Sequence, residues 1–188
     1  DSVGYNLSSS TNGVSIDAGA NTDGAGNGDK LTLLGNTQTE KLTIDLSATG
    51  DQIERVNGDD NAAVQTGFED LDASGLTSSG TLGVNVTAAS TGSKIEGTGF
   101  ADEMTGGAGD DVFIGNAGAD VIDGKGGADD VIDFSGALSG DGSTTLATSD
   151  TGITLALNGA TQATVTAGGT NVGADKVSNV ENVVGTKG

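Results

Sequence analysis

The chain has 188 residues, with 27 acidic against 7 basic ones, a formal charge of -20, and no Cys, His, Pro or Trp. The absences exclude a disulfide staple, a zinc-thiolate site and thiol chemistry, and they remove the commonest general base and transition-metal ligand. The charge argues against nucleic acid and anionic membrane as partners, and no apolar run approaches the roughly 18 residues of a membrane span.

The opening, Asp1-Ser2-Val3-Gly4-Tyr5, has the form of neither a signal peptide nor a natural start, which predicts a piece excised from a longer chain. Val14-Ser15-Ile16 and Leu31-Thr32-Leu33-Leu34 read as strands on either side of a Gly-rich loop. Asp17, Asn21, Asp23 and Asp29 give the region near 17–32 enough oxygens to hold a hard cation; the alternative is a polar hairpin loop. Leu42-Thr43-Ile44-Asp45-Leu46 alternates with the period of a half-buried strand. Val56-Asn57-Gly58-Asp59-Asp60-Asn61 is a polar loop in which Asp59 and Asp60 are candidate ligand-binding residues, or a solvated turn. Only Ala62 to Gln65 offers a helical stretch, and Val84-Asn85-Val86 returns to alternation. Residues 1–96 are therefore predicted to be a β-strand region.

Next comes a stretch of concentrated acid. Of the acidic residues 21 are Asp and 6 are Glu, a bias that solubility does not require. Short carboxylates suit Gly-rich turns that bring a cation close to the backbone. Between Asp102 and Asp133 there are eight Asp and a single basic residue, Lys125. Such repulsion calls for a neutralising cation, and Ca2+ fits flexible carboxylate-and-carbonyl sites better than Mg2+.

Residues 97 to 132 divide into four nonapeptides without a gap: GTGFADEMT, GGAGDDVFI, GNAGADVID and GKGGADDVI. The first position is Gly97, Gly106, Gly115 and Gly124; the sixth is Asp102, Asp111, Asp120 and Asp129; the eighth is Met104, Phe113, Ile122 and Val131. Gly allows turn conformations that other residues avoid, and one apolar side chain per turn can stack into a narrow core. The block resembles the calcium-binding G-G-x-G-x-D-x-U-x repeat of RTX (repeat-in-toxin) proteins, which implies a parallel β-roll over 97–135.

In that family each ion lies between turns two repeats apart. The resemblance therefore implies Asp102 with Asp120, Asp111 with Asp129, and the turns of Gly97, Gly99, Gly106, Gly109, Gly115, Gly118, Gly124 and Gly127 as metal sites. Phe100 stands where the other repeats have Gly109, Gly118 and Gly127, so its turn is expected to be distorted or to end the roll. Asp133-Phe134-Ser135-Gly136 no longer fits, which limits the roll to about four turns. The Gly24 to Thr32 segment reads as a separate fifth copy with Asp29 at its sixth position.

Beyond the block, Ile153-Thr154-Leu155-Ala156-Leu157 and Ala163-Thr164-Val165 alternate, and 136–188 are predicted as closing strands. Gly173 to Thr186 resembles the connector between blocks of RTX repeats, with Val177, Val180 and Val183 pointing inward. Phe68-Glu69-Asp70-Leu71-Asp72-Ala73-Ser74-Gly75-Leu76 resembles strands that precede such blocks in large RTX surface proteins. The expected fold is all-β: a short calcium-bound parallel β-roll merged with a β-sandwich or irregular solenoid, in a single domain over 1–188.

Catalysis is not expected. Adjacent Asp on a strand point to opposite faces, aromatic platforms are scarce, and serine nucleophiles lack their usual partner. The ninth positions, Thr105, Ile114, Asp123 and Ile132, form no Thr rank of the kind an ice-binding face requires. Alginate is a polyanion, and one Arg with six Lys makes a poor surface for it. In character and size the chain is similar to the peptide-binding domains of giant RTX adhesins, including that of an ice-binding bacterium. That similarity implies a secreted, cell-surface, calcium-dependent module for adhesion and biofilm formation. In that family a Ca2+ with an open position takes the C-terminal carboxylate of a peptide or protein; a neutral glycan is the alternative ligand, and a structural Ca2+-folded spacer the alternative role. Asp110, Asp59, Asp60 and Phe100 are the candidate ligand contacts. The expected module is a monomer that neither enters a membrane nor binds nucleic acid.

Overall fold

The structure, a computed structural model, describes residues 2–6, 16–18, 28–35, 41–56, 59–60, 64–77, 82–135, 153–167 and 173–185. Its first strands are β1 (Ser2–Asn6), β2 (Ile16–Asp17), β3 (Lys30–Gly35), β4 (Leu42–Asp45), β5 (Ile53–Val56), β6 (Asp59–Asp60), β7 (Gln65–Thr66), β8 (Asp70–Leu76) and β9 (Val84–Thr87). Five short rungs follow: β10 (Lys94–Glu96), β11 (Glu103–Thr105), β12 (Val112–Ile114), β13 (Val121–Asp123) and β14 (Val131–Asp133). Then come β15 (Ile153–Thr154), β16 (Ala163–Thr164), β17 (Thr166–Ala167), β18 (Lys176–Ser178) and β19 (Asn182–Val184). Among the described residues there is no helix.

Two sheets hold most of these strands, in the orders β1-β3-β8-β10-β12-β14-β19 and β16-β18-β13-β11-β9-β4-β5-β6. From β8 to β14 each successive strand switches sheet, and within each sheet these rungs pair in parallel. This is a parallel β-roll, so the sandwich-or-solenoid alternative resolves as a solenoid. The roll is not confined to four turns. Before the nonapeptides β3 pairs β8 and β4 pairs β9; after them β13 pairs β18 and β14 pairs β19, all in parallel. Antiparallel pairs occur at sheet margins, as in β4 with β5 and β16 with β18.

Irregular spacing hides the outer rungs from a periodicity reading. Stacked positions in the block lie 18 residues apart, as for Asp102 and Asp120. Those of Asp70 and Lys94 are 24 apart, and those of Asp120 and Asp175 are 55 apart. Stacking therefore persists where the sequence period does not.

The core lies between the sheets. Leu31 and Leu33, Leu42, Ile44 and Leu46, Leu71 and Ala73, and Val84 and Val86 are buried in the early rungs, as alternation predicts. Gln52 ties this end together: its amide donates to the Leu46 carbonyl at 3.0 Å and the Phe68 carbonyl at 2.7 Å, and its oxygen accepts the Phe68 N–H at 2.9 Å. The later rungs bury Ile95, Met104, Phe113, Ile122 and Ile132 in single file. Val177 and Val180 are inward as expected, but Val183 is 38% exposed. It lies on β19, the last strand of its sheet among the described residues.

Candidate metal centre

The parallel register stacks the residues at the start of each rung into columns. One column runs Leu42, Val84, Asp102, Asp120, Asp175. The other runs Asp29, Glu69, Ser93, Asp111, Asp130, Glu181. Hydrogen bonds climb both in one sense, from a backbone N–H to the carboxylate one turn further on. Val84 donates to Asp102 Oδ1 at 2.7 Å, Asp102 to Asp120 Oδ1 at 2.9 Å, and Asp120 to Asp175 Oδ1 at 3.0 Å. In the second column Ser93 donates to Asp111 Oδ1 at 2.7 Å, Asp111 to Asp130 Oδ1 at 2.8 Å, and Asp130 to Glu181 Oε2 at 3.0 Å.

One oxygen of each Asp is thus occupied by the ladder, and the second separates the turns into two kinds. Asp102 Oδ2 accepts the Thr98 N–H at 2.7 Å, and Asp111 Oδ2 accepts the Gly107 N–H at 2.8 Å. Asp120 Oδ2, Asp130 Oδ2 and Asp175 Oδ2 are buried without a hydrogen-bond partner. An unpartnered buried carboxylate oxygen is costly, and a cation is the simplest remedy.

Electrostatics agree. Burial pushes the Asp102 and Asp111 carboxyls up to about 6 despite their hydrogen bonds, and does the same to Asp175. Asp120 is pushed up to about 9, first by burial and then by the charges of Asp175 and Asp102. Asp130 is also raised, again chiefly by burial. A bound divalent cation would let these groups ionise in place.

The first-position glycines explain how the carboxylates reach the turns. A Cβ on Gly97 or Gly115 would collide with the carboxylate of Asp102 or Asp120, and one on Gly106 would lie 2.7 Å from Asp111 Oδ2. Glycine there leaves room for the sixth-position side chain to fold back under its own turn. Gly118 has a φ of 142°, and a Cβ there would lie 2.6 Å from the Phe100 carbonyl oxygen and 2.8 Å from Asp120 Oδ1. Backbone carbonyls and carboxylates therefore crowd the same turns. No group of three or more acidic side chains among the described residues is placed to hold a metal. Carbonyls must complete any site, which suits Ca2+, with its about six to eight mixed oxygen ligands.

One residue of the second column differs from the sixth position of the gapless division. The fourth repeat is one residue longer than the gapless division, because Val112 pairs with Val131 and Asp111 bonds to Asp130, 19 residues on. Asp130 is 1% exposed under Asp111 and Ile132 is in the core, while Asp129 is exposed and Val131 half-buried. The slip is dictated by burial, since it puts both Ile132 and Phe134 inside. The matching triplets Val121-Ile122-Asp123 and Val131-Ile132-Asp133 were the available signal.

The other candidates are dispersed. Asp110 is exposed; its Oδ1 accepts the N–H groups of Ala128 at 2.7 Å and Asp129 at 3.1 Å, which hold its carboxyl below the usual range. It clamps one turn to the next. Phe100 is half-buried and its N–H donates to Thr98 Oγ1 at 3.0 Å, so this turn is shaped by Thr98 in place of a glycine. A Cβ on Gly99 would meet nothing within 4 Å, one on Gly109 would press on the Thr91–Gly92 backbone, one on Gly124 would lie 2.6 Å from Asp130 Oδ2, and one on Gly127 2.6 Å from Asp130 Oδ1. Asp59 and Asp60 form the marginal strand β6, away from the Asp columns. Asp17 is in β2, Asp23 lies outside the described residues, and Asp29 donates its N–H to Glu69 Oε2 at 3.1 Å. Sequence reasoning missed Asp175, although Gly173-Ala174-Asp175-Lys176-Val177-Ser178 follows the fourth to ninth positions of the repeat.

The profile of the RTX calcium-binding nonapeptide repeat matches residues 96–131 in four copies. No curated protein and no solved structure matches the chain. These repeats bind several Ca2+ ions, and their match falls on the turns with the carboxylate ladder. The chain carries a calcium-binding RTX block embedded in a longer parallel β-roll.

Proposed function

We propose that this chain is a calcium-folded module of a large secreted RTX adhesin. The observation that carries this is the set of buried carboxylate oxygens with no partner at the turns of Asp120 and Asp130. Without a cation these turns bury carboxyl oxygens that have no partner; with Ca2+ they close. Sites built from paired Asp and carbonyls suit the millimolar Ca2+ outside cells, where binding need not be tight. The chain would cross a secretion channel unfolded and set into a rod on reaching that medium. Each ion bound only by the folded state adds RT ln(1 + [L]/Kd), about 2.7 kcal/mol at a hundredfold excess over Kd. Thermal melting in Ca2+ and in EGTA tests this: a large drop in EGTA is expected, and an unchanged melting temperature would end the proposal.

A second reading adds capture of a ligand, the C-terminal carboxylate of a partner protein or a neutral glycan, at an ion with an open position. The exposed carboxylates of Asp110 and Asp129 on adjoining turns favour it, because an ion drawn there would face solvent. A net charge of -20 repels anions generally, so capture would depend on that local cation. Calorimetry with peptides bearing free or amidated C-termini decides: binding lost on amidation and in EGTA is expected, and equal binding of both forms rules out carboxylate capture.

A further inference from the structure

Asp175 lies far along the chain from the nonapeptide match at 96–131, yet it occupies the next turn of the Asp102–Asp120 column. β13 and β18 pair in parallel with Val121 against Lys176, Ile122 against Val177 and Asp123 against Ser178. The Asp120 N–H donates to Asp175 Oδ1 at 3.0 Å, and the Lys176 N–H donates to the Asp120 carbonyl at 2.8 Å. A Cβ on Gly173 would collide with the Gly118 carbonyl, so the two turns are in backbone contact. Asp120 and Asp175 are each 0% exposed, and each keeps its Oδ2 without a hydrogen-bond partner.

Two buried, unpartnered carboxylate oxygens on adjoining turns, beside turn carbonyls and without nitrogen or sulfur donors, describe a site for a hard divalent cation. We propose that Asp120 and Asp175 jointly bind a Ca2+ outside the nonapeptide block, and that this ion locks the last rungs, β18 and β19, onto the roll. The inference rests on the calcium-folding reading above and adds to it a site that sequence period does not reveal. Within the block, stacked turns are joined by a short connection. Here the ion holds together turns whose Asp are 55 residues apart, a contact that costs more chain entropy to close than one between neighbouring repeats.

The test is Asp175→Asn in the full chain. The amide oxygen can still accept the Asp120 N–H, so the ladder is kept and only the charge is removed. Native mass spectrometry is expected to count one Ca2+ fewer per chain than in the parent, and the Ca2+-induced rise in melting temperature should shrink. In EGTA the variant should melt with the parent, because the last rungs are then open; a lower melting temperature in Ca2+ with an unchanged ion count would mark a merely structural role and overturn the site. An unchanged ion count with an unchanged Ca2+-induced rise overturns the Asp175 site while leaving calcium folding intact. A parent chain that binds no Ca2+ overturns both. If the variant does not fold in Ca2+, the carboxyl carbon-13 resonance of Asp175 in the parent decides: a saturable shift on adding Ca2+ supports the site, and an unmoved resonance overturns it.

Discussion

The two ends of the roll share one backbone plan and differ in what fills it. The column that opens with Leu42 and Val84 continues as Asp102, Asp120 and Asp175. Strands near the start are longer, with six residues in β3 and seven in β8 against three in each of β10 to β14. The long strands bury two or more apolar side chains each, whereas most short rungs bury one. The lesson is that a rung can be held by hydrophobic area or by cations at its turns. On the proposed reading, a stretch this poor in apolar side chains relies on the second device to offset chain entropy.

Removing Ca2+ should break that symmetry most severely. Hydrogen exchange followed by mass spectrometry in EGTA is expected to show protection lost over 93–135 and 173–185 and largely kept over 30–35, 42–46 and 70–76. Uniform loss along the chain would mean that the early rungs lean on the ions as well.

Single core truncations sharpen the same contrast. In Ca2+, Phe113→Ala should cost about 3–5 kcal/mol and Leu33→Ala about 2–5 kcal/mol, since both side chains are fully buried. In EGTA the Leu33 variant should still lower the melting temperature of the surviving unit, while the Phe113 variant should no longer matter. Calorimetric melting of both variants in both media checks this. An equal effect of Phe113→Ala with and without Ca2+ would show that the block folds by packing alone.

The smallest expected effect is on pH. In the folded chain the carboxyls of Asp102, Asp111 and Asp175 are raised from 3.8 to about 6 and that of Asp120 to about 9, chiefly by burial. Without metal, the folded state therefore holds protons that the unfolded state releases. That stabilisation is complete below the unfolded value and is lost as pH rises through about 6, with a further loss towards 9 from Asp120. The metal-free chain should melt higher at pH 4.5 than at pH 8. Ca2+ competes with those protons, so the rise in melting temperature that it causes should be largest above pH 6 and shrink below it. Melting curves across this range, with and without Ca2+, check both slopes.

What the sequence by itself determined is local and periodic. Gly97, Gly106 and Gly115 with Asp102, Asp111 and Asp120 are legible because a turn that folds its carboxylate back needs a residue with no Cβ at its start. Leu42, Ile44 and Leu46 are legible because a strand alternates whatever it packs on. Tertiary structure decided the rest. Asp130 replaced Asp129 because burying Ile132 outweighs a gapless nonapeptide count. Asp175 joined Asp120 because the parallel pairing of β13 and β18 overrides 55 residues of separation. The split between satisfied Asp102 and Asp111 and unpartnered Asp120, Asp130 and Asp175 also lay beyond the sequence. All five are aspartates in glycine-rich turns, and only the stacking of one turn on the next decides which oxygens find an N–H and which are left for a cation.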